Sequence, residues 1–152
     1  MLECRNLFHS FFTEESEIPI LKNLQFQFAE GESFAITGTS GCGKSTLLNI
    51  LSGLLKPAQG QIIYNGQDLY QLTDQALSAW RLQCTGYIYQ DFRLLPRLTA
   101  EENVAFPLQL SGEKLNSSLQ KAQTILAHLG LEKRFKHYPQ KLSGGEQQRV
   151  AL

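Results

Sequence analysis

Nine consecutive residues carry the clearest chemistry in the sequence: Gly38-Thr39-Ser40-Gly41-Cys42-Gly43-Lys44-Ser45-Thr46. Their spacing fits G-x-x-x-x-G-K-[ST], a loop that cradles a phosphate chain. Each residue type has a physical role there. Glycines let the backbone approach an anion with no Cβ in the way. Successive N–H groups and the N-terminus of a following helix point at the charge. Lys44 is expected to reach the β- and γ-phosphates of a nucleotide, and the Ser45 hydroxyl to ligate Mg²⁺. A second stretch, Leu142-Ser143-Gly144-Gly145-Glu146-Gln147-Gln148-Arg149, is the other candidate. Ser143 is placed to cap a helix, with Glu146 answering three residues on. Gly144 and Gly145 leave the first-turn N–H groups uncovered. On these residues alone the stretch reads either as an ordinary helix start or as a second anion site.

The phosphate loop needs a strand before it and a helix after it. Phe34-Ala35-Ile36 reads as the strand and Leu47-Leu48-Asn49-Ile50-Leu51 as the helix. Upstream, Leu2 to Phe8 and Ile20 to Phe28 look like two strands. Within the latter, Leu24-Gln25-Phe26-Gln27-Phe28 alternates, which implies one buried and one wet face. The acidic link Thr13 to Glu17 is expected to be solvated. Gln61 to Tyr64 reads as a strand and Asn65-Gly66 as a hairpin turn. A polar helix is expected from Asp74 to about Gln83, then a core strand, Thr85 to Tyr89, ending at Gln90. Beyond Gln90 the pattern turns helical. Thr99-Ala100-Glu101-Glu102 is a capping box opening a helix towards Leu110. From Asn116 to Leu129, Leu119, Ala122, Ile125, Leu126 and Leu129 keep helical spacing, and Gly130 suits the stop.

Bulk properties narrow the class. A chain of 152 residues is long enough for one domain with a real core. A formal net charge of +0 gives no bulk attraction to nucleic acid, so no nucleic-acid partner is expected. Cys4, Cys42 and Cys84 form no CxxC pair and no zinc pattern, which fits a reduced setting. No apolar run approaches the roughly 20 residues of a spanning helix, so any membrane role needs a partner that supplies the spans. His9, His128 and His137 have no metal-site or nucleophile spacing.

A phosphate loop, a strand ending in Gln90, and LSGGEQQR, in that order, resemble the ATP-binding subunits of ABC transporters over essentially the whole chain. The resemblance implies an α/β P-loop NTPase fold with an N-terminal antiparallel β subdomain, a partial RecA-like core and a helical subdomain. It implies one partial nucleotide-binding domain over 1–152, with the β subdomain and core in 1–90 and the helical subdomain, ending in the signature helix, in 91–152. In this family ATP is held between the phosphate loop of one domain and the LSGGE helix of another, in a homodimer or beside a second nucleotide-binding domain. Gly38 through Thr46 of one copy, and Ser143, Gly144 and Gly145 of the other, would then close on one nucleotide. Gln90 matches the Q-loop glutamine, which contacts Mg²⁺ and the attacking water, so Lys44 and Gln90 are the catalytic candidates and Ser45 and Gln90 the metal candidates. Phe11 matches the aromatic that stacks on adenine, with Phe12 as the alternative and plain core packing as the other reading of Phe11.

The segment from about Asp91 to Lys141 matches the part that docks on an integral membrane permease subunit. That implies a cytoplasmic protein, peripheral on the inner face of the membrane. Tyr89 to Val104 is similar to the lipoprotein-release, macrolide-export and cell-division branch. The implied function is coupling of ATP binding and hydrolysis to export or extraction of a substrate. The alternatives are a non-transport ABC ATPase regulating a division or cell-wall complex, or a non-catalytic fragment. The family's Walker B Asp and Glu and its switch His follow the signature helix and are not found before Leu152. The resemblance therefore implies that this chain alone is inactive as an ATPase.

Overall fold

The computed structural model describes all residues from Met1 to Leu152. Two strands, β1 (Leu2–Phe12) and β2 (Glu17–Phe28), form a long antiparallel hairpin paired from Leu2↔Phe28 to Phe12↔Glu17, with register shifts between Cys4 and Ser10. The acidic link is correspondingly shorter than the sequence suggested, because Glu17 belongs to β2 and its carboxylate accepts from Ser10 Oγ. The alternation of β2 is real: Leu24, Phe26 and Phe28 are half-buried and Gln25 and Gln27 exposed. On its other side β1 pairs antiparallel with β3 (Gln59–Tyr64), which pairs with β4 (Gln67–Asp68), giving the order β2-β1-β3-β4. Asn65 and Gly66, at φ 48 and 86, make the β3–β4 turn with both residues left-handed, as a type I′ turn demands.

Helix α1 (Lys44–Leu51) follows the phosphate loop, and α2 is Asp74–Cys84. Leu47, Ile50 and Leu51 of α1 and Leu77 of α2 join Cys4, Leu7, Leu21, Ile62 and Leu69 in one apolar core. Burial there pushes the Cys4 thiol up to about 11.

Two expected strands are not strands. Phe34–Thr37 and Thr85–Tyr89 have no ladder hydrogen bonds. Their apolar patterning persists, with Ile36 packed against the first core while Phe34 is exposed. A strand is defined by neighbours, and interior strands of parallel sheets need them on both sides. Every ladder in this chain is antiparallel and none includes these segments.

The chain divides into two compact units, Met1–Arg81 and Leu82–Leu152. The second unit contains α3 (Ala100–Leu110), α4 (Leu115–His128) and α5 (Gly144–Ala151). The expected Thr99/Glu102 capping box is formed. Helix α4 ends as expected: Gly130, at φ 70, lets its own N–H reach Ala127 O and the Leu131 N–H reach Leu126 O. Ala100, Leu126, Leu131, Leu142 and Val150 form this unit's core. Ile125, expected on the apolar face, is exposed. No helix is long and apolar enough to cross a membrane.

Candidate functional site

The loop Gly38–Thr46 lies on the first unit, at the N-terminus of α1. Gly43 takes φ 96 as the residue before the helix, and no side chain caps it. The first-turn N–H groups are therefore left for an anion. Gly43 also sits against the hairpin: a Cβ there would lie 2.6 Å from Ile20 Cγ2 and 3.1 Å from Leu21 Cδ2. Strand β2 is thus the floor on which the loop rests, and glycine is what permits the approach. A Cβ on Gly38 would meet Cys42 Sγ at 2.7 Å.

Lys44 Nζ donates to Gly38 O at 3.0 Å and Thr39 O at 2.7 Å, with Cys42 Sγ 3.8 Å away. The ammonium is thus held over the loop it would share with a phosphate. The far end of α1 is fixed firmly. The Tyr70 hydroxyl lies 2.6 Å from both Ile50 O and Leu55 O, and Arg81 donates to Gly53 O at 2.8 Å. Burial pushes the Tyr70 phenol well above its ordinary value, which keeps it a donor. An anchored C-terminal end and an open N-terminal end suit a helix that presents its dipole to a ligand.

Phe11 is half-exposed and stands edge-to-face with His9, centroids 5.0 Å apart. His9 itself is buried, with neither ring nitrogen hydrogen-bonded. Phe12 is far more exposed, at 77%.

Gln90, Ser143, Gly144 and Gly145 belong to the second unit. Gln90 is exposed in a turn closed by Phe92 N–H to Tyr89 O at 3.0 Å. Phe92 and Arg93 follow at φ 58 and 47, and the Arg93 guanidinium lies 4.0 Å over the Tyr89 ring. Two successive bulky residues in the left-handed region are strained, and such strain collects at functional turns. Asn103 of α3 secures the segment beyond: its side chain accepts from Leu95 N–H and donates to the Leu95, Leu98 and Thr99 carbonyls.

Ser143 caps α5, and its hydroxyl oxygen accepts from Glu146 N–H at 3.3 Å. The Glu146 carboxylate returns to Ser143 N–H at 2.7 Å and takes Arg134 Nε at 2.7 Å. The Ser143 N–H and the Arg134 guanidinium together hold the Glu146 carboxyl at about 2. Ser143, Gly144 and Gly145 are exposed, and a Cβ on Gly144 would meet nothing within 4 Å. Arg134 and Tyr70 are contributors that local spacing does not reveal. Both act on a distant backbone or side chain, so no motif contains them.

Comparison with known proteins gives a consistent picture. The profile of the family described as ABC transporter matches residues 21–152. The ABC transporter ATP-binding protein YtrE of Bacillus subtilis is 43% identical, taking in 100% of this chain and 68% of that protein. The lipoprotein-releasing system ATP-binding proteins LolD of Idiomarina loihiensis and Geobacter metallireducens are each 41% identical, with 67% and 68% of their own lengths covered. Among solved structures, a dimeric post-hydrolysis state of the ATP-binding cassette MJ0796, bound to ADP and Pi, is similar with TM-score 0.92 and 37% identity. The match covers 99% of this chain and 67% of that one. A second dimeric structure of MJ0796, a bacterial ABC transporter cassette, gives 0.91 and 38%, over 99% and 67% of the two chains. Phosphate loop, capped LSGGE helix and fold agree with these likenesses: the chain belongs to the ABC transporter family, as an ATP-binding subunit spanning about two thirds of its relatives' length.

Proposed function

We propose that the chain forms the phosphate-gripping part of an ATPase that drives export or extraction of a substrate through a separate membrane subunit. The observation that carries this reading is the uncapped N-terminus of α1 under a glycine loop, with Lys44 Nζ already poised on the Gly38 and Thr39 carbonyls. On binding Mg²⁺·ATP, Lys44 exchanges those carbonyls for the β- and γ-phosphate oxygens, and the loop N–H groups take the rest of the charge. Ser45 would hold the metal through its hydroxyl oxygen, a donor that suits a hard cation such as Mg²⁺ and would place its charge beside the phosphates, and Gln90 is the second candidate donor. Phe11 stacks on the adenine. Phosphoryl transfer depends on positioning and charge stabilisation, which these groups supply, together with a residue that orients the water.

A second copy, or another nucleotide-binding domain, brings Ser143, Gly144 and Gly145 to the γ-phosphate. Support comes from the uncovered first turn of α5 and from the dimeric state of the similar cassette MJ0796. The export or extraction reading is supported by the likeness to the lipoprotein-releasing system ATP-binding proteins LolD; a cytoplasmic position against a membrane partner is part of the same proposal. The test is affinity purification of the protein at its natural length from membranes solubilised in mild detergent. The reading predicts recovery of an integral membrane subunit in fixed ratio, and ATP turnover that falls on Lys44→Ala. Recovery of a division or cell-wall complex without a transport subunit would contradict the export reading.

A further inference from the structure

We propose that Arg134 is a positioning residue for the LSGGE helix: it neutralises the Glu146 carboxylate so that the first turn of α5 can receive an anion. The inference rests on the reading of Ser143–Gly145 as a γ-phosphate site. A capping box normally uses Glu or Gln at its fourth position, and here the residue is Glu. Its negative charge helps the helix dipole in an isolated helix. At a site meant for a phosphate it is a liability, because two anions then compete for the same N–H groups.

The structure shows how the charge is handled. One carboxylate oxygen takes the Ser143 N–H and the other takes Arg134 Nε, both at 2.7 Å. Each oxygen thus takes a donor other than the Gly144 and Gly145 N–H groups, and Ser143 Oγ, already an acceptor for Glu146 N–H, keeps its own proton to donate. The Glu146 side chain is only 18% exposed, so the ion pair is partly shielded from water.

Arg134 is itself held in place. It ends a short 3-10 turn, Glu132–Arg134, and its carbonyl accepts from His137 N–H at 2.9 Å. The next residues strap this turn to the start of α3: Phe135 O accepts from Glu101 N–H at 3.1 Å and His137 O from Ala100 N–H at 2.8 Å. Lys136 Nζ donates to the buried Glu101 carboxylate, which also takes Gln123 Nε2 at 2.7 Å. The guanidinium is therefore delivered to Glu146 from a fixed base on α3.

The test is a double-substitution cycle in the protein at its natural length, with ATPγS-driven pairing read by sedimentation and amide exchange read over 143–146. Arg134→Ala is expected to raise the ATPγS concentration for half-maximal pairing about tenfold, the scale of coupling between contacting charged groups. Glu146→Gln keeps the cap without the charge, so adding Arg134→Ala to it should change pairing by less than about twofold. Arg134→Lys, which keeps the charge, should fall between, and it replaces Arg134→Ala if that variant does not fold. Equal losses from Arg134→Ala in both backgrounds, or no loss in either while Ser143→Ala abolishes pairing, would overturn the proposal. If Ser143→Ala and Arg134→Ala both leave pairing unchanged while Arg134→Ala still speeds exchange over 143–146, the γ-phosphate reading fails and the positioning of Glu146 stands.

Discussion

Phe11 and Phe12 are neighbours with different surroundings, and that difference makes the adenine assignment testable. Phe11 is half-exposed and braced edge-on by the buried His9, whereas Phe12 projects into solvent. A stacking platform needs a free face and a fixed orientation, and only Phe11 has a ring brace. Phe11→Ala is expected to weaken ATP binding by about 1–3 kcal/mol, the scale of base–aromatic stacking. Phe11→Tyr should leave affinity within about 0.5 kcal/mol, and Phe12→Ala likewise. Nucleotide titration followed by calorimetry checks all three. Glu146 gives a pH prediction. Its carboxyl is held at about 2 against an ordinary 4.5, so the folded pKa is depressed. Its contribution is therefore complete above the ordinary value and is lost as pH falls from about 4.5 towards 2. Denaturant unfolding at several pH values should show the stability gap between the native chain and Glu146→Gln shrinking across that window and steady above it.

At the scale of elements, the contact between loop and hairpin is the one most sensitive to a single atom. Gly43→Ala adds a Cβ 2.6 Å from Ile20 Cγ2 at a φ of 96, so it is expected to destabilise the fold by about 1–3 kcal/mol through overpacking and backbone strain. Chemical denaturation of the variant measures this. Such a contact has no signature in the sequence beyond the glycine itself, because Ile20 lies far from Gly43 along the chain. Local chemistry was legible. Asn65-Gly66, the Thr99/Glu102 and Ser143/Glu146 boxes and the Gly130 stop each act within a few residues, and each is formed as expected. The strands at Phe34–Thr37 and Thr85–Tyr89 were misread, since apolar patterning reports burial but not the neighbour that makes a ladder. Ile125 was misread for a related reason: helical spacing marks a face, and only packing decides how far the face is covered. Arg134 and Tyr70 were invisible because each reaches a partner that only the fold brings near.

Across the molecule, each unit carries its own apolar core, the first with the uncapped N-terminus of α1 and the second with the capped N-terminus of α5, exposed at Ser143, Gly144 and Gly145. Neither N-terminus alone surrounds a nucleotide. In the proposed arrangement the α1 terminus grips the phosphates and the α5 terminus closes over them from another copy. The central claim is that Gly38–Thr46 grips the phosphates of ATP through Lys44. Its most direct measurement is calorimetric titration of Mg²⁺·ATP into the protein and its Lys44→Ala variant, with thermal melting in parallel. Lys44 is half-buried and its ammonium bonds only within its own loop, so melting should move little while binding weakens by about 1.5–3 kcal/mol, the loss of a charge-assisted bond. Equal affinity in the two proteins, with both folded, would contradict it.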